Sequence, residues 1–273
     1  MIPALSQVCT LEASFEKDVE DYSAGHCRSM EIWLTKLETY LQSHSLDDAR
    51  RLLEKNEMAV PVASFQGGLL ISQGEARREH WNHFAKRLGL CRSLKIETLV
   101  IAGDVVGPLD QQAFDRLRMS LAQAAAQAGE HGVRSALEFQ AKATYPNNLQ
   151  SAAALIEEIG DPNLGLCLDA FHFFTGPSKE ADLAYLTSQN LFHVQLCDVA
   201  GQPREFASDA DRILPGDGDF PLELFVSRLR AIGYAACVSV ELFNPAIWRI
   251  GPRQFGEVGI TALRKVLGLA SMD

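Results

Sequence analysis

The sequence predicts an α/β protein folded as a closed (β/α)8 TIM barrel, and three observations support this. Strand-like and helix-like segments alternate from one end of the chain to the other. Eight strand-like segments occur in 273 residues, and such barrels contain about 250 residues. The segment after the first strand, CTLEASFEK, has no GxGxxG turn, which disfavours the alternative, an open dinucleotide-binding sheet. We therefore expect one domain that spans residues 1–273.

The predicted strands are short apolar or alternating runs, as is typical of parallel sheets. Strands one to four are ALSQVC (4–9), SMEIWL (29–34), VPVASF (60–65) and TLVIAG (98–103). Strands five to eight are RSALEF (134–139), LGLCLDA (164–170), FHVQLCD (192–198) and CVSVEL (237–242). Helical crossovers between consecutive strands indicate that the sheet is parallel.

Four of the intervening segments have clear helical patterns. EARREHWNHFAKRLGLCRSL (75–94) is amphipathic, and the Ala/Gln-rich segment 110–132 stops at GEHG. Segment 148–160 starts at an Asn and ends at Gly160, and segment 221–233 starts at a Pro and ends at a Gly. These are the residues that favour helix starts and helix ends.

Composition and charge narrow the class of protein. Apolar residues make up 47% and charged residues 22% of the chain, which is ordinary for a globular protein. No apolar run approaches the ~20 residues of a membrane span, and MIPALSQVCT lacks the features of a signal peptide, so we expect a cytoplasmic protein. The net charge of −10 argues against nucleic acid as a partner. The six cysteines form no CxxC pair and are expected to be reduced and buried.

Polar residues end four consecutive predicted strands. In such barrels the active site lies where strands end and βα loops begin. Clustered carboxylates raise each other's pKa, and a divalent cation such as Mg²⁺ or Mn²⁺ relieves that repulsion. The residues at these strand ends are Glu138, Asp169 with His172 three residues later, Gln195 with Asp198, and Glu241.

These motifs also carry a family resemblance. ALEF, LGLCLDAFHF, VQLCD, DRILPGDGDFPL and VSVELFNP follow one another between about residues 133 and 245. In this order they resemble the xylose-isomerase-like TIM barrels, which include sugar epimerases, inosose isomerases, dehydratases and endonuclease IV. The sequences DRILPGDG and VSVELFNP most resemble those of the inosose isomerases. The first half resembles the family more weakly, through LETYLQSHSLDDARRLLEK.

The resemblance implies a metal site formed by Glu138, Asp169, Gln195 and Glu241. It departs from the family at Gln195, where a histidine is usual, although the 3-dehydroshikimate dehydratase branch has the same glutamine. An all-oxygen site favours Mn²⁺ or Mg²⁺, with Co²⁺ or Zn²⁺ as further candidates. His193 is the rival ligand, but it lies roughly 6–7 Å deeper along the strand. We therefore expect it to be a buried core histidine.

The resemblance also assigns roles around the metal. Glu138 and Glu241 are expected to be the catalytic acid and base, and His172 and Arg212 to bind substrate. Further candidates are weaker. Arg204 and Lys142 are expected to be solvated, Glu31 to line the pocket, and Trp248 to line the pocket or contact a second copy. The histidines at the surface are expected to be His26, His44, His80, His83 and His131.

The leading hypothesis is a divalent-metal-dependent isomerase or epimerase of a sugar, keto-sugar or keto-inositol. It would act by proton abstraction next to a metal-polarised carbonyl. The alternative is a metal-dependent dehydratase of the 3-dehydroshikimate type, which Gln195 favours. A DNA-repair endonuclease of this family needs a histidine-rich site with several zinc ions. It is disfavoured because only two of the seven histidines lie near the predicted strand ends and because the net charge is negative. A metal-free binding protein is a fourth hypothesis. The expected partner is a small polyol or keto-sugar, without membrane or nucleic acid, and a homo-oligomer is left open.

Overall fold

The computed structural model describes residues 1–269, so the last four residues of the predicted domain lie outside it. Eight parallel strands pair in chain order, and the last pairs with the first to close a barrel. This confirms the predicted (β/α)8 architecture. The strands are β1 (Ile2–Ser6), β2 (Ser29–Trp33), β3 (Ala59–Gln66), β4 (Thr98–Gly103), β5 (Arg134–Phe139), β6 (Leu164–Asp169), β7 (Leu191–Leu196) and β8 (Cys237–Val240).

The helices lie outside the strands and connect them. They are α1 (Phe15–Ala24), α2 (Leu34–Tyr40), α3 (Leu46–Lys55), α4 (Gly74–Leu94), α5 (Gln111–Glu130), α6 (Leu149–Ile159), α7 (Ala170–Thr175), α8 (Leu222–Ala231) and α9 (Pro252–Leu267). Short 3-10 turns span Gln7–Thr10, Glu180–Tyr185, Asp209–Asp211 and Ile247–Arg249. The bounds of the four helices described from sequence agree with the structure to within two residues.

Local side-chain chemistry explains those helix ends. The Asp110 carboxylate accepts from the Ala113 N–H, and the side-chain Oδ1 of Asn148 accepts from the Ser151 N–H. Each side chain therefore caps the start of its helix. Gly160 ends α6 in the left-handed region with φ of 67°, where glycine carries no steric penalty.

The first strand ends three residues earlier than the sequence predicts. Gln7 leaves the sheet because its side chain has two partners beyond it: Nε2 donates to Asp18 Oδ2 at 3.0 Å, and Oε1 accepts from the Trp33 N–H at 3.1 Å. These bonds hold the chain in the turn Gln7–Thr10. Alternation alone could not reveal partners so distant in sequence.

The barrel interior contains an apolar cluster that includes Ala4, Val62, Val100 and Ala136. Small inward residues precede the site residues by two positions: Ala136 before Glu138 and Cys167 before Asp169. All six cysteines are free and buried, as predicted. Within residues 1–269, no helix is long and apolar enough to cross a membrane.

Candidate metal and active site

The four polar residues predicted at the strand ends converge on one cavity of about 240 Å³. Glu138, Gln195 and Glu241 line it directly, and each is at least 90% buried. Asp169 lies behind the wall, 1% exposed. The cavity is lined by Ser64, Phe65, Glu138, Gln140, His172, Gln195, Asp209, Arg212, Glu241 and Phe243.

Three groups in this cluster are close enough to share an ion. One ligand atom from each of Glu138, Asp169 and His172 lies within 4.8 Å of the other two. The geometry of α7 brings them together: Asp169 is its N-cap, and Asp169 Oδ1 accepts from the His172 N–H at 2.9 Å. His172, predicted from sequence as a substrate contact, therefore also offers a nitrogen to a cation.

Arg212 is buried and holds three carboxylates. Its Nη1 donates to Asp169 Oδ2 at 2.7 Å and to Glu241 Oε2 at 3.0 Å. Its Nε and Nη2 both donate to Asp209 Oδ1. The guanidinium also lies 4.4 Å from the ring centroid of Phe171. Such fixed, charge-assisted contacts place this cation firmly against the cluster.

Gln195 reaches the cluster through its amide nitrogen. Nε2 donates to Glu241 Oε1 at 2.8 Å and to Glu31 Oε1 at 3.0 Å, and Oε1 accepts from Cys167 Sγ at 3.1 Å. To coordinate a cation, Gln195 must turn its Oε1, rather than its Nε2, toward the carboxylates of the cluster. Rotation of the amide by half a turn exchanges the two atoms.

His193 lies one layer deeper and does not line the cavity. It is fully buried, with Nε2 at 3.0 Å from Glu31 Oε2 and 3.1 Å from Ser239 Oγ. It is thus a hydrogen-bonded histidine of the barrel interior, as the alternation along β7 predicts. Glu31 lies in the same layer, so the expectation that it lines the pocket is wrong: its carboxylate is engaged by His193, Gln195 and Ser239 below the cavity.

The remaining candidates lie away from the cavity. Arg204 and Lys142 are exposed, as expected. The indole of Trp248 donates to the Val8 carbonyl at 2.8 Å and does not line the cavity. His80 is half-buried against Gly68 rather than on the open surface.

Five cavity-lining residues were missed from the sequence: Ser64, Phe65, Gln140, Asp209 and Phe243. Gln140 and Phe243 follow strand ends already singled out, so their positions were a usable signal. Asp209 begins a 3-10 turn and lies three residues before Arg212. The sequence does not indicate this turn, so it does not reveal that the two side chains meet. Phe65 ends a predicted strand, and its apolar character resembles that of many core residues.

Burial and neighbouring charges shift the pKa values of the ionisable groups in opposite directions. Burial, reinforced by Asp169, raises the pKa of Glu138 to about 8. Burial also raises the pKa of Glu241 well above its ordinary value. Burial acts the same way on Asp169, but the neighbouring Arg212 and His172 outweigh it and lower its pKa to about 2. Burial lowers the pKa of His172, so the imidazole is neutral near pH 7.

The donor set fits a divalent cation. Three buried carboxyl groups, Glu138, Asp169 and Glu241, lie in this cluster, and the last two contact the guanidinium of Arg212. With all three ionised, negative charge would be in excess. Carboxylate oxygens with an imidazole or amide oxygen are ligands for Mg²⁺, Mn²⁺ and Zn²⁺. A dication would offset the excess charge that burial makes costly.

Sequence comparison places the chain in a known family. The profile of the xylose isomerase-like TIM barrel family matches residues 23–261. The chain belongs to this family, in agreement with the resemblance seen in its motifs.

Individual relatives give a finer context. An inosose isomerase of Halalkalibacterium halodurans is 29% identical over 91% of this chain and 90% of its own length. A crystal structure of the IolI protein with a bound zinc atom superposes with a TM-score of 0.91 at 25% identity, over the whole of both chains. A 3-dehydroshikimate dehydratase of Pseudomonas aeruginosa is 26% identical over 95% of this chain, which spans 40% of that relative. Together with the site, these relatives indicate a metal-binding enzyme of the isomerase or epimerase kind.

Proposed function

We propose that this enzyme is a divalent-metal-dependent isomerase of an uncharged keto-polyol, such as a keto-inositol or ketohexose. The observation that carries the proposal is the charge of the cavity wall. Glu138, Asp209 and Glu241 line it, against one guanidinium, Arg212, among the described lining residues. A neutral polyol adds no further negative charge to such a site.

The engagement of Arg212 strengthens this argument. All of the hydrogen bonds described for its guanidinium go to Asp169, Asp209 and Glu241. An anionic substrate would compete with these carboxylates for one cation. The cavity, equal in volume to about eight water molecules, suits a compound built on a single six-membered ring.

The side walls of the cavity match a polyol as well. Phe65 and Phe243 offer aromatic faces, and Gln140 and Ser64 offer neutral hydrogen-bonding groups. An apolar surface with a few placed polar groups is the usual lining of a small-molecule site. The ring carbons of a cyclic polyol can pack on the phenyl faces while its hydroxyls meet the polar groups.

Glu138, Asp169 and Glu241, with Gln195 completing the set, would hold the metal. Their oxygen donors favour Mn²⁺ or Mg²⁺ over softer ions. When bound, the ion supplies Lewis acidity, which polarises a carbonyl and an adjacent hydroxyl. Asp169 suits the role of a permanent anionic ligand because its pKa of about 2 keeps it ionised.

Glu138 and Glu241 would move the proton. Both carboxyl groups border the cavity, and burial raises both of their pKa values, that of Glu138 to about 8. A bound ion would lower both of these pKa values, which favours the ionised form that a general base needs. One residue, as a carboxylate, would remove the proton next to the carbonyl, and the other, as a carboxylic acid, would deliver its own proton to the neighbouring carbon. Proton exchange with solvent would then restore both groups. His172 and Arg212 would donate to substrate oxygens and stabilise developing negative charge.

The test is a paired substrate assay on the Mn²⁺-loaded enzyme. We expect isomerisation of an inosose or ketohexose, with solvent deuterium incorporated next to the carbonyl and detected by NMR. We expect no aromatic ultraviolet absorbance from 3-dehydroshikimate. Turnover of 3-dehydroshikimate without turnover of any neutral keto-polyol would contradict the proposal.

The dehydratase is the second candidate, and Gln195 is the observation that favours it. The resemblance described above gives that branch a glutamine at the end of strand seven, and proton abstraction next to a carbonyl is the first step of both reactions. The cytoplasmic location, the single domain and a homo-oligomeric state stay predictions. Six free, buried cysteines support a reducing compartment.

A further inference from the structure

The connection between β7 and α8, residues 197–221, is the longest excursion near the cavity, and it carries Asp209 and Arg212 into the site. Long connections in compact domains are commonly functional. Apart from one short 3-10 turn, the segment has no regular helix or strand of its own. Its shape must therefore be held by specific contacts.

Asp198 supplies three of these contacts from one buried carboxylate. Its Oδ1 accepts from the Val199 and Phe220 N–H groups, both at 2.9 Å, and its Oδ2 accepts from the Gly216 N–H at 3.0 Å. The residue is 1% exposed. Val199 opens the connection and Phe220 nearly closes it, so the carboxylate ties its two ends together.

The backbone of Asp198 fixes the position of Arg212. Asp198 N–H donates to the Ile213 carbonyl, and Ile213 N–H donates to the Asp198 carbonyl, each at 2.9 Å. Ile213 follows Arg212 directly. The Asn244 side chain, beyond β8, donates from Nδ2 to the Arg212 carbonyl at 2.9 Å. The backbone of the buried arginine is thus held from two strand ends at once.

The turn that closes this arrangement requires glycine. A Cβ on Gly218 would lie 2.4 Å from Asp198 Oδ1 and 2.5 Å from the Val199 carbonyl oxygen. No side chain fits at these distances. The PGDG sequence therefore brings the backbone close enough for its N–H groups to reach the carboxylate.

We propose that Asp198 is a positioning residue for Arg212: its carboxylate closes the 197–221 connection so that the guanidinium reaches Asp169 and Glu241. An acid is needed because three N–H donors converge on two oxygens, and an amide would offer one acceptor oxygen and a clashing NH2 group. The contribution to catalysis rests on the proposed function, whereas the closure of the connection does not.

The test compares Asp198→Asn with Asp217→Asn, the same change at an exposed position of the same connection. We expect Asp198→Asn to speed hydrogen–deuterium exchange at residues 209–213 and tryptic cleavage after Arg204 by at least several-fold, and Asp217→Asn to leave both unchanged. Equal rates in Asp198→Asn and wild type would overturn the proposal.

The catalytic arm is a double-mutant cycle with Arg212→Ala on the active substrate. We expect Asp198→Asn to lower kcat/KM by about 10²-fold in the wild-type background, because a displacement of about 1 Å has that effect. In the Arg212→Ala background it should add little. Fully additive losses would show a general structural role and overturn the proposal.

If Asp198→Asn does not fold, Gly218→Ala takes its place in both arms, because its Cβ would lie 2.4 Å from Asp198 Oδ1 and force the turn away from that carboxylate. Unchanged exchange at residues 209–213 would then overturn the proposal. If wild type turns over none of the keto-polyols, the proposed function fails, and the exchange and cleavage rates alone decide the role of Asp198.

Discussion

Two buried clusters of charged residues lie near the strand ends of this barrel, and they differ in how their charges are matched. Asp18, on α1, pairs with Lys36, on α2, at 2.6 Å. The same carboxylate accepts from Thr10 Oγ1 at 2.7 Å and from Gln7 Nε2 at 3.0 Å, and Lys36 Nζ also donates to the Thr10 carbonyl. One carboxylate is balanced by one ammonium group, and the remaining hydrogen bonds are made by other groups of the protein.

The cavity cluster is unbalanced. Asp169 and Glu241 share the guanidinium of Arg212, Glu138 adds a third carboxyl group, and the cluster borders a cavity. Burial raises the pKa of Asp18 to about 6 against the opposing effect of Lys36, but it raises that of Glu138 to about 8, with Asp169 reinforcing it. The comparison suggests that the first cluster serves folding and that the second is built to receive a cation and a substrate.

The largest expected effect is on catalysis, at Glu241. Glu241→Gln should lower kcat by roughly 10²–10⁴-fold, because it removes one of the two groups that we propose move the proton. Stability in chelator should change little, since a neutral amide relieves repulsion with Glu138. The measurements are steady-state kinetics and thermal unfolding, with the exposed Glu205→Gln as control. A large loss of Tm in chelator would place Glu241 with the folding cluster instead.

The converse substitution is Lys36→Met. It should lower the free energy of unfolding by about 3–5 kcal/mol, because it leaves Asp18 buried without its cation. The value of kcat for the folded protein should be unchanged. Lys17→Met is the matched control, since Lys17 also contacts an aspartate at 2.6 Å but at the surface, where the loss should stay below about 1 kcal/mol. Similar losses in both variants would refute the contrast. Urea denaturation measures both.

The third prediction concerns pH. The pKa of Glu138 is raised from 4.5 to about 8, so between these values the folded, metal-free protein binds more protons than the unfolded chain. Its stability therefore falls as the pH rises through that window. A divalent ion displaces the proton, so the rise in Tm caused by Mn²⁺ should grow from pH 5.5 to pH 8 and then level off. Glu138→Gln should flatten this dependence; an equal Mn²⁺ effect at all pH values in wild type would contradict it.

The smallest effect is expected at Gln195. Gln195→His should shift the preference from Mn²⁺ toward Zn²⁺, by roughly tenfold, because an imidazole nitrogen replaces an oxygen donor. Competition between the two ions, followed by metal analysis, measures it. Cys197→Ser, also at the end of β7, serves as the control. An unchanged preference would remove Gln195 from the ligand set.

Parts of this picture were accessible from the sequence because they are local. The ends of α5 and α6 follow from Asp110, Asn148 and Gly160, whose side chains or backbone act within a few residues. The convergence of Glu138 and Asp169 follows from parallel strands, whose carboxyl ends meet at one rim. The depth of His193 follows from alternation along a single strand.

Other parts depend on contacts between distant segments. Asp18 and Lys36 are ordinary helix residues in the sequence, and their pairing exists only once α1 and α2 pack together. The expectation that Glu31 lines the cavity was wrong because the depth of a residue depends on how the strands are staggered around the barrel. This stagger is a tertiary property. The contacts of Arg212 with Asp169 and Glu241 could not be derived from its own motif for the same reason.

The most direct test of the central claim is anomalous diffraction from a crystal equilibrated with Mn²⁺. The account predicts a single strong peak bordered by carboxylate oxygens of Glu138, Asp169 and Glu241. It also predicts no peak at Asp18, whose charge Lys36 already balances. A peak at Asp18, or none among the three cavity carboxylates at saturating Mn²⁺, would contradict the account.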